Sequence, residues 1–152
     1  MEVVPELWYE LGQMYEEIGR YAESGRAYRK AIEKYRHPVT AKDTPQFIID
    51  SHFRAGEMLT KVQSDQEALR RYQEAVANYA EHEDVETRKQ VNWARYQIGS
   101  LQARLGMVKE ALETFRQLVE SPEGEGEMWK RLATESHQNL TRQLSYQQYL
   151  NQ

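Results

Sequence analysis

The chain has 152 residues, 39 % hydrophobic and 29 % charged, with a net charge of −4 and no cysteine. That length suffices for one domain with a continuous core. The missing cysteines exclude disulfides, thiolate zinc sites and thiol catalysis, and no run approaches the roughly 18 apolar residues of a transmembrane helix.

The N-terminus, Met1 to Glu6, lacks the basic region and apolar run of a secretion signal. The start of the chain is expected to be either that of a domain from a longer protein or that of a mature form. Helical patterning then begins at once. Helices are expected at about 6–18 and 21–36, with a turn at Gly19-Arg20. A connection follows from His37 to Thr44, where Thr44 before Pro45 reads as an N-cap with proline at the first helical position. The next helices are expected at about 45–62 and 65–80, broken at Gln63-Ser64. Asp84 is placed to cap a helix over about 85–105. A helix over 108–120 follows Gly106, and Ser121 to Gly126 reads as a loop from its proline and glycines. The last helix starts near Glu127 and runs almost to Tyr149. Its polar tail suits a terminal capping helix, which must face solvent on one side.

Gly12, Gly56 and Gly99 lie inside these helices at one phase of a repeating pattern. Each is followed 12 residues later by Ser24, Ala68 or Ala111, and 16 later by Tyr28, Tyr72 or Phe115. A glycine inside a helix costs about 1 kcal/mol relative to alanine, so three in register need close helix packing to explain them. Each glycine is expected to face the small residue of the partner helix, with the aromatic filling the remaining gap. The first unit reads Trp8, Leu11, Gly12, Tyr15, Gly19, Tyr21, Ser24, Tyr28, Ala31. On these residues the chain resembles the tetratricopeptide repeat family. The second unit keeps Gly56, Leu59, Ala68, Tyr72 and Ala75, with His52 in the tryptophan position. The third keeps Ile98, Gly99, Gly106, Ala111, Phe115 and Leu118, and a fourth begins with Trp129, Leu132 and Ala133.

The resemblance implies an all-α solenoid of antiparallel helix pairs. It would form a single domain over 1–152, with repeats at about 5–38, 45–80 and 85–120 and a capping helix over 127–150. From Gly12 to Gly56 is 44 residues and from Gly56 to Gly99 is 43, whereas Gly99 to Ala133 is 34, the usual repeat length. The extra residues are expected to lengthen the first helices of the second and third units at their N-terminal ends. Similarly elongated repeats occur in bacterial outer-membrane assembly lipoproteins and in relatives of kinesin light chain. That makes the bacterial periplasm or envelope the expected location over the cytoplasm.

In this family the first helices line a concave surface, and the residue three before each glycine faces it. Here these are Tyr9, Phe53 and Tyr96, with Lys130 in the fourth unit and Trp93 one turn before Tyr96. Such a ladder of rings suits a docked peptide or helix, although rings at helical spacing also serve simply to complete a core. The same register offers Gln13, Glu16 and Glu17, then Arg54, Glu57 and Lys61, then Ser100 and Arg104. The implied groove runs from acidic to basic, which would orient a ligand more than tighten it; the same charges also fit an ordinary solvated face. Family members that clamp acidic peptide ends use Lys and Asn where this chain has Tyr9 and Gln13, so that clamp is missing.

His37, His52, His82 and His137 are scattered without metal-ligand spacing, and neither a nucleophile elbow nor a phosphate loop is present. The expectation is therefore a non-catalytic adaptor that binds a segment of another protein, without cofactor or metal and without membrane insertion. Self-association through Tyr146, Tyr149 and Leu150 is an alternative. Reading of single-stranded RNA is a further one, opposed by a pI near 5.6 and by the carboxylates beside Tyr9.

Overall fold

The computed structural model describes residues 4–38 and 42–151, and these form seven α-helices and no strand. They are α1 (Pro5–Glu17), α2 (Tyr21–Lys34), α3 (Gln46–Lys61), α4 (Asp65–Tyr79), α5 (Val85–Arg104), α6 (Val108–Glu120) and α7 (Met128–Leu150). The expected all-α array of paired helices is what these residues adopt. Residues 39–41 of the first inserted connection lie outside the described residues. Both lengthened helices are present: α3 has 16 residues and α5 has 20, against 13 for α1.

Two compact units divide the chain within α5, after Ala94. In the first, α1 packs on α2, α2 on α3 and α3 on α4. Tyr28, Ala55 and Met58 form one buried cluster there, flanked by Tyr9 and Tyr21. In the second unit α6 packs on α7, and Ala111, Phe115, Leu118, Trp129 and Ala133 form the core.

The glycines meet the aromatics directly, the rings occupying the gap beside each glycine. A Cβ added to Gly12 would lie 2.7 Å from the Tyr28 ring, one on Gly56 3.1 Å from Tyr72, and one on Gly99 2.5 Å from Phe115. Each ring fills the space a side chain would need. The small residue of the first repeat has another task, since Ser24 Oγ donates a hydrogen bond to the Gly12 carbonyl at 2.7 Å.

The turns repeat as well. Gly19, Gln63 and Gly106 all have positive φ, at 78°, 62° and 81°. In each turn the next backbone N–H reaches back to close the helix: Arg20 to the Tyr15 carbonyl, Ser64 to Leu59 and Met107 to Gln102. Gln63 therefore takes at some cost a conformation that glycine adopts freely.

Thr44 does not cap α3. Its hydroxyl turns away and donates to the Pro38 carbonyl at 3.3 Å, fastening the end of the connection, and the N-cap position falls to Pro45. Asp84 does cap α5, accepting from the Thr87 backbone N–H at 3.0 Å and its hydroxyl at 2.9 Å. These bonds hold the Asp84 carboxyl below the usual carboxylate range.

His52 replaces the family's tryptophan and is 3 % exposed, edge-on to Tyr79 at 5.4 Å. Its Nε2 has no partner among the described residues. Burial, and then the Arg71 charge, push its pKa down to about 4.

Two predictions follow from this packing. Gly99→Ala should lower stability by about 1–3 kcal/mol through overpacking. In Gly56→Ala the contact is looser, and about 1 kcal/mol of helix propensity offsets it; urea melts of the two variants check the order. Secondly, His52 is neutral in the folded chain but takes up a proton near pH 6.5 when unfolded. Its contribution is fully present above about pH 6.5 and is lost as the pH falls towards 4, by about 3 kcal/mol at most. The stability of His52→Gln relative to the native chain should therefore rise by that order between pH 7 and pH 4.

Candidate functional site

In the first unit α1, α3 and the first half of α5 present one connected polar junction. Asp50 of α3 is its centre. Tyr9 of α1 donates to Asp50 Oδ2 at 2.5 Å, Arg54 Nε donates to the same oxygen at 2.6 Å, and Gln90 of α5 donates to Oδ1 at 3.0 Å. Arg54 also reaches across to both Glu16 oxygens, at 2.9 and 3.0 Å. Tyr28 donates to Glu16 at 2.8 Å, and Gln13 to the Tyr9 hydroxyl at 3.2 Å.

The electrostatics follow from this wiring. Burial and then the Asp50 carboxylate push the Tyr9 hydroxyl up to about 12. Burial and then Glu16 push Tyr28 up as well. Burial works against the charge on Arg54, but Asp50 and Glu16 outweigh it and its pKa is raised. One guanidinium thus serves two carboxylates.

Beside the junction lies a cleft of about 430 Å³, lined by Asp50, Phe53, Arg54, Glu57, Tyr72, Glu86, Lys89, Gln90 and Trp93. Glu57 sits partly buried on its wall. Burial, and then the proximity of Glu16, raise its pKa.

The candidates read from the sequence fall into three sets. Tyr9, Gln13, Glu16 and Arg54 form the junction, while Phe53, Arg54, Glu57 and Trp93 line the cleft. Of the four anchor rings, Phe53 is only 7 % exposed and rests near Tyr79 at 6.1 Å. Tyr9 is held against Tyr28 at 5.8 Å and Phe47 at 5.9 Å. Trp93 is 39 % exposed. Tyr96, Ser100 and Arg104 belong to the second unit, where the Tyr96 ring lies 6.0 Å from Phe115.

Lys61 turns over the Tyr21 ring, its Nζ 4.9 Å from the centroid, and Glu17 is exposed at the end of α1. Lys130 departs from its expected groove position, because its ammonium donates to the Ser121 carbonyl at 2.5 Å and the Glu123 carbonyl at 3.1 Å. It fastens the loop before α7 instead. Sequence reasoning missed Asp50, Tyr72, Glu86, Lys89 and Gln90. Asp50 had a legible signal, since it lies four residues before Arg54 on one helix face.

Among the described residues no three His, Asp or Glu side chains gather as a metal site, and no helix is long and apolar enough to cross a membrane. Residues 5–38 and 93–123 each match a model described as tetratricopeptide repeat. No curated protein matches the chain.

Replacing Arg54 by methionine leaves Asp50 and Glu16 half-buried without their shared cation. Because the side chain is a third exposed, the cost should stay near 1–2 kcal/mol, below that of breaking a fully buried pair. The same substitution made in an Asp50→Asn background should cost less, and a double-mutant cycle from urea melts reads the difference.

Proposed function

The chain is a tetratricopeptide repeat protein, and we propose that it is a non-catalytic adaptor whose first unit docks a segment of another protein beside α1, α3 and α5. Tetratricopeptide repeats generally mediate protein–protein interaction, which sets the class. The observation that carries the finer reading is the cleft between Asp50 and Trp93, where an exposed indole stands beside charged side chains. Aromatic anchors next to polar groups are the composition of protein-binding surfaces. The chain acts as one domain in this reading, with α7 as the terminal cap. An envelope location rests on repeat length alone.

Self-association is the second reading. Tyr146, Tyr149 and Leu150 at the end of α7 are 67, 73 and 76 % exposed, and large apolar groups clustered on a surface mark contact sites. Leu7 and Met14 on α1, and Ile18 at its C-cap, are exposed too.

Capture from extract of the source cell separates these readings. Trp93→Ala removes the partly exposed ring. The native chain should retain a protein that Trp93→Ala loses and Tyr149→Ala keeps, regardless of nuclease treatment. A native chain that retains nothing and runs as a dimer, with Tyr149→Ala restoring the monomer, would replace the adaptor reading with self-assembly.

A further inference from the structure

We propose that the cleft of the first unit receives a basic side chain, arginine before lysine, from the docked segment. The proposal rests on the adaptor reading and names the chemistry of its ligand.

The first argument is charge. The two cations lining the cleft are both engaged: Arg54 by Asp50 and Glu16 at 2.6 and 2.9 Å, and Lys89 by Glu86 at 3.6 Å. Against them stand three carboxylates that line the cleft, Asp50, Glu57 and Glu86, with Glu16 near Glu57. Arg54, and then Lys61 at the end of α3 over the Tyr21 ring, act on Glu57 through space and do not outweigh its burial and Glu16. Glu57 accepts no hydrogen bond among the described residues, although it lines the cleft and is half-buried. A carboxylate in that position is stabilised by any cation that reaches it.

The second argument is the apolar lining. Phe53, Tyr72 and Trp93 line the same cleft, and Trp93 is the exposed ring among them. An aromatic face beside a carboxylate suits a guanidinium, which stacks on the ring while its edge donates two parallel hydrogen bonds. An ammonium lacks the planar edge, and an acidic segment or a phosphate backbone would be repelled by the negative remainder at Glu57. The volume of about 430 Å³ accommodates a side chain and not a folded element. The burial that raises the Glu57 pKa is a cost that an arriving cation offsets.

A titration followed by amide NMR tests this on the whole chain, using Nα-acetyl-L-arginine amide with its norleucine and glutamate counterparts as probes. The Trp93 indole N–H is read, assigned by its loss in Trp93→Phe. The arginine probe should move it saturably, with the norleucine probe at least about fivefold weaker and the glutamate probe inert. Glu57→Gln should reduce the arginine affinity about five- to tenfold, to the norleucine level, while the rest of its spectrum overlays the native one. Equal binding of norleucine and arginine would overturn the basic-side-chain proposal and leave the adaptor reading standing. Arginine binding that Glu57→Gln does not weaken would overturn it too. No response to any probe overturns the proposal; loss of the Trp93→Ala effect on partner capture as well would bring down the adaptor reading with it.

Discussion

The contact between a helix glycine and a partner-helix ring sets the geometry of every repeat. Gly12, Gly56 and Gly99 each leave their helix without a side chain where Tyr28, Tyr72 or Phe115 packs. Removing the Cβ lets the two axes approach, and the ring fills the space with dispersion contacts that a smaller group would forgo. The glycine costs helix propensity locally and the packing more than offsets it. Once that distance is set, the helix faces that point away from the pair are set as well. The positive-φ turns at Gly19, Gln63 and Gly106 complete the unit by reversing the chain in the same way each time. The middle repeat keeps the geometry with a glutamine at the turn and a histidine in the core, which shows how far the fixed contact tolerates change elsewhere.

On that frame, the first unit adds a polar junction that ties three helices through one aspartate. Asp50 receives hydrogen bonds from α1, from its own helix and from α5. Such a partly buried network contributes little net stability for its charges, but it restricts the rotamers that Tyr9, Arg54 and Gln90 can adopt. The wall of the neighbouring cleft is therefore preorganised before any ligand arrives, and a preorganised surface loses less entropy on binding.

The repeat pattern was the legible part, because it depends on residue types that few positions tolerate. Glycine in a helix interior and a large ring 16 residues on are rare together, so three such pairs located all the helix pairs. Asp84 was readable as a cap because Asp favours that position for a local reason. Thr44 carried the same local signal, but an acceptor six residues back, the Pro38 carbonyl, competed for its hydroxyl. Lys130 was assigned by register to a groove and went instead to loop carbonyls close in sequence. The roles of Tyr9, Glu16 and Arg54 were visible as positions but not as partners. Which carboxylate a guanidinium chooses depends on distances between helices 38 residues apart in the chain, and no periodicity encodes these.

That difference bears on how charge works in this molecule. An acidic-to-basic gradient read along the sequence treats each charge as free to meet a ligand. In the first unit the principal basic group of α3, Arg54, is already enclosed by two carboxylates, and Lys89 is beside Glu86. What a ligand meets is the remainder after internal pairing, which is small, negative and centred on Glu57. Paired charges contribute mainly to shape and rigidity, whereas one without an ion-pair partner in a partly desolvated cleft discriminates between ligands by sign. Selectivity in this unit therefore resides in a residue that formal charge counting ranks no higher than its neighbours.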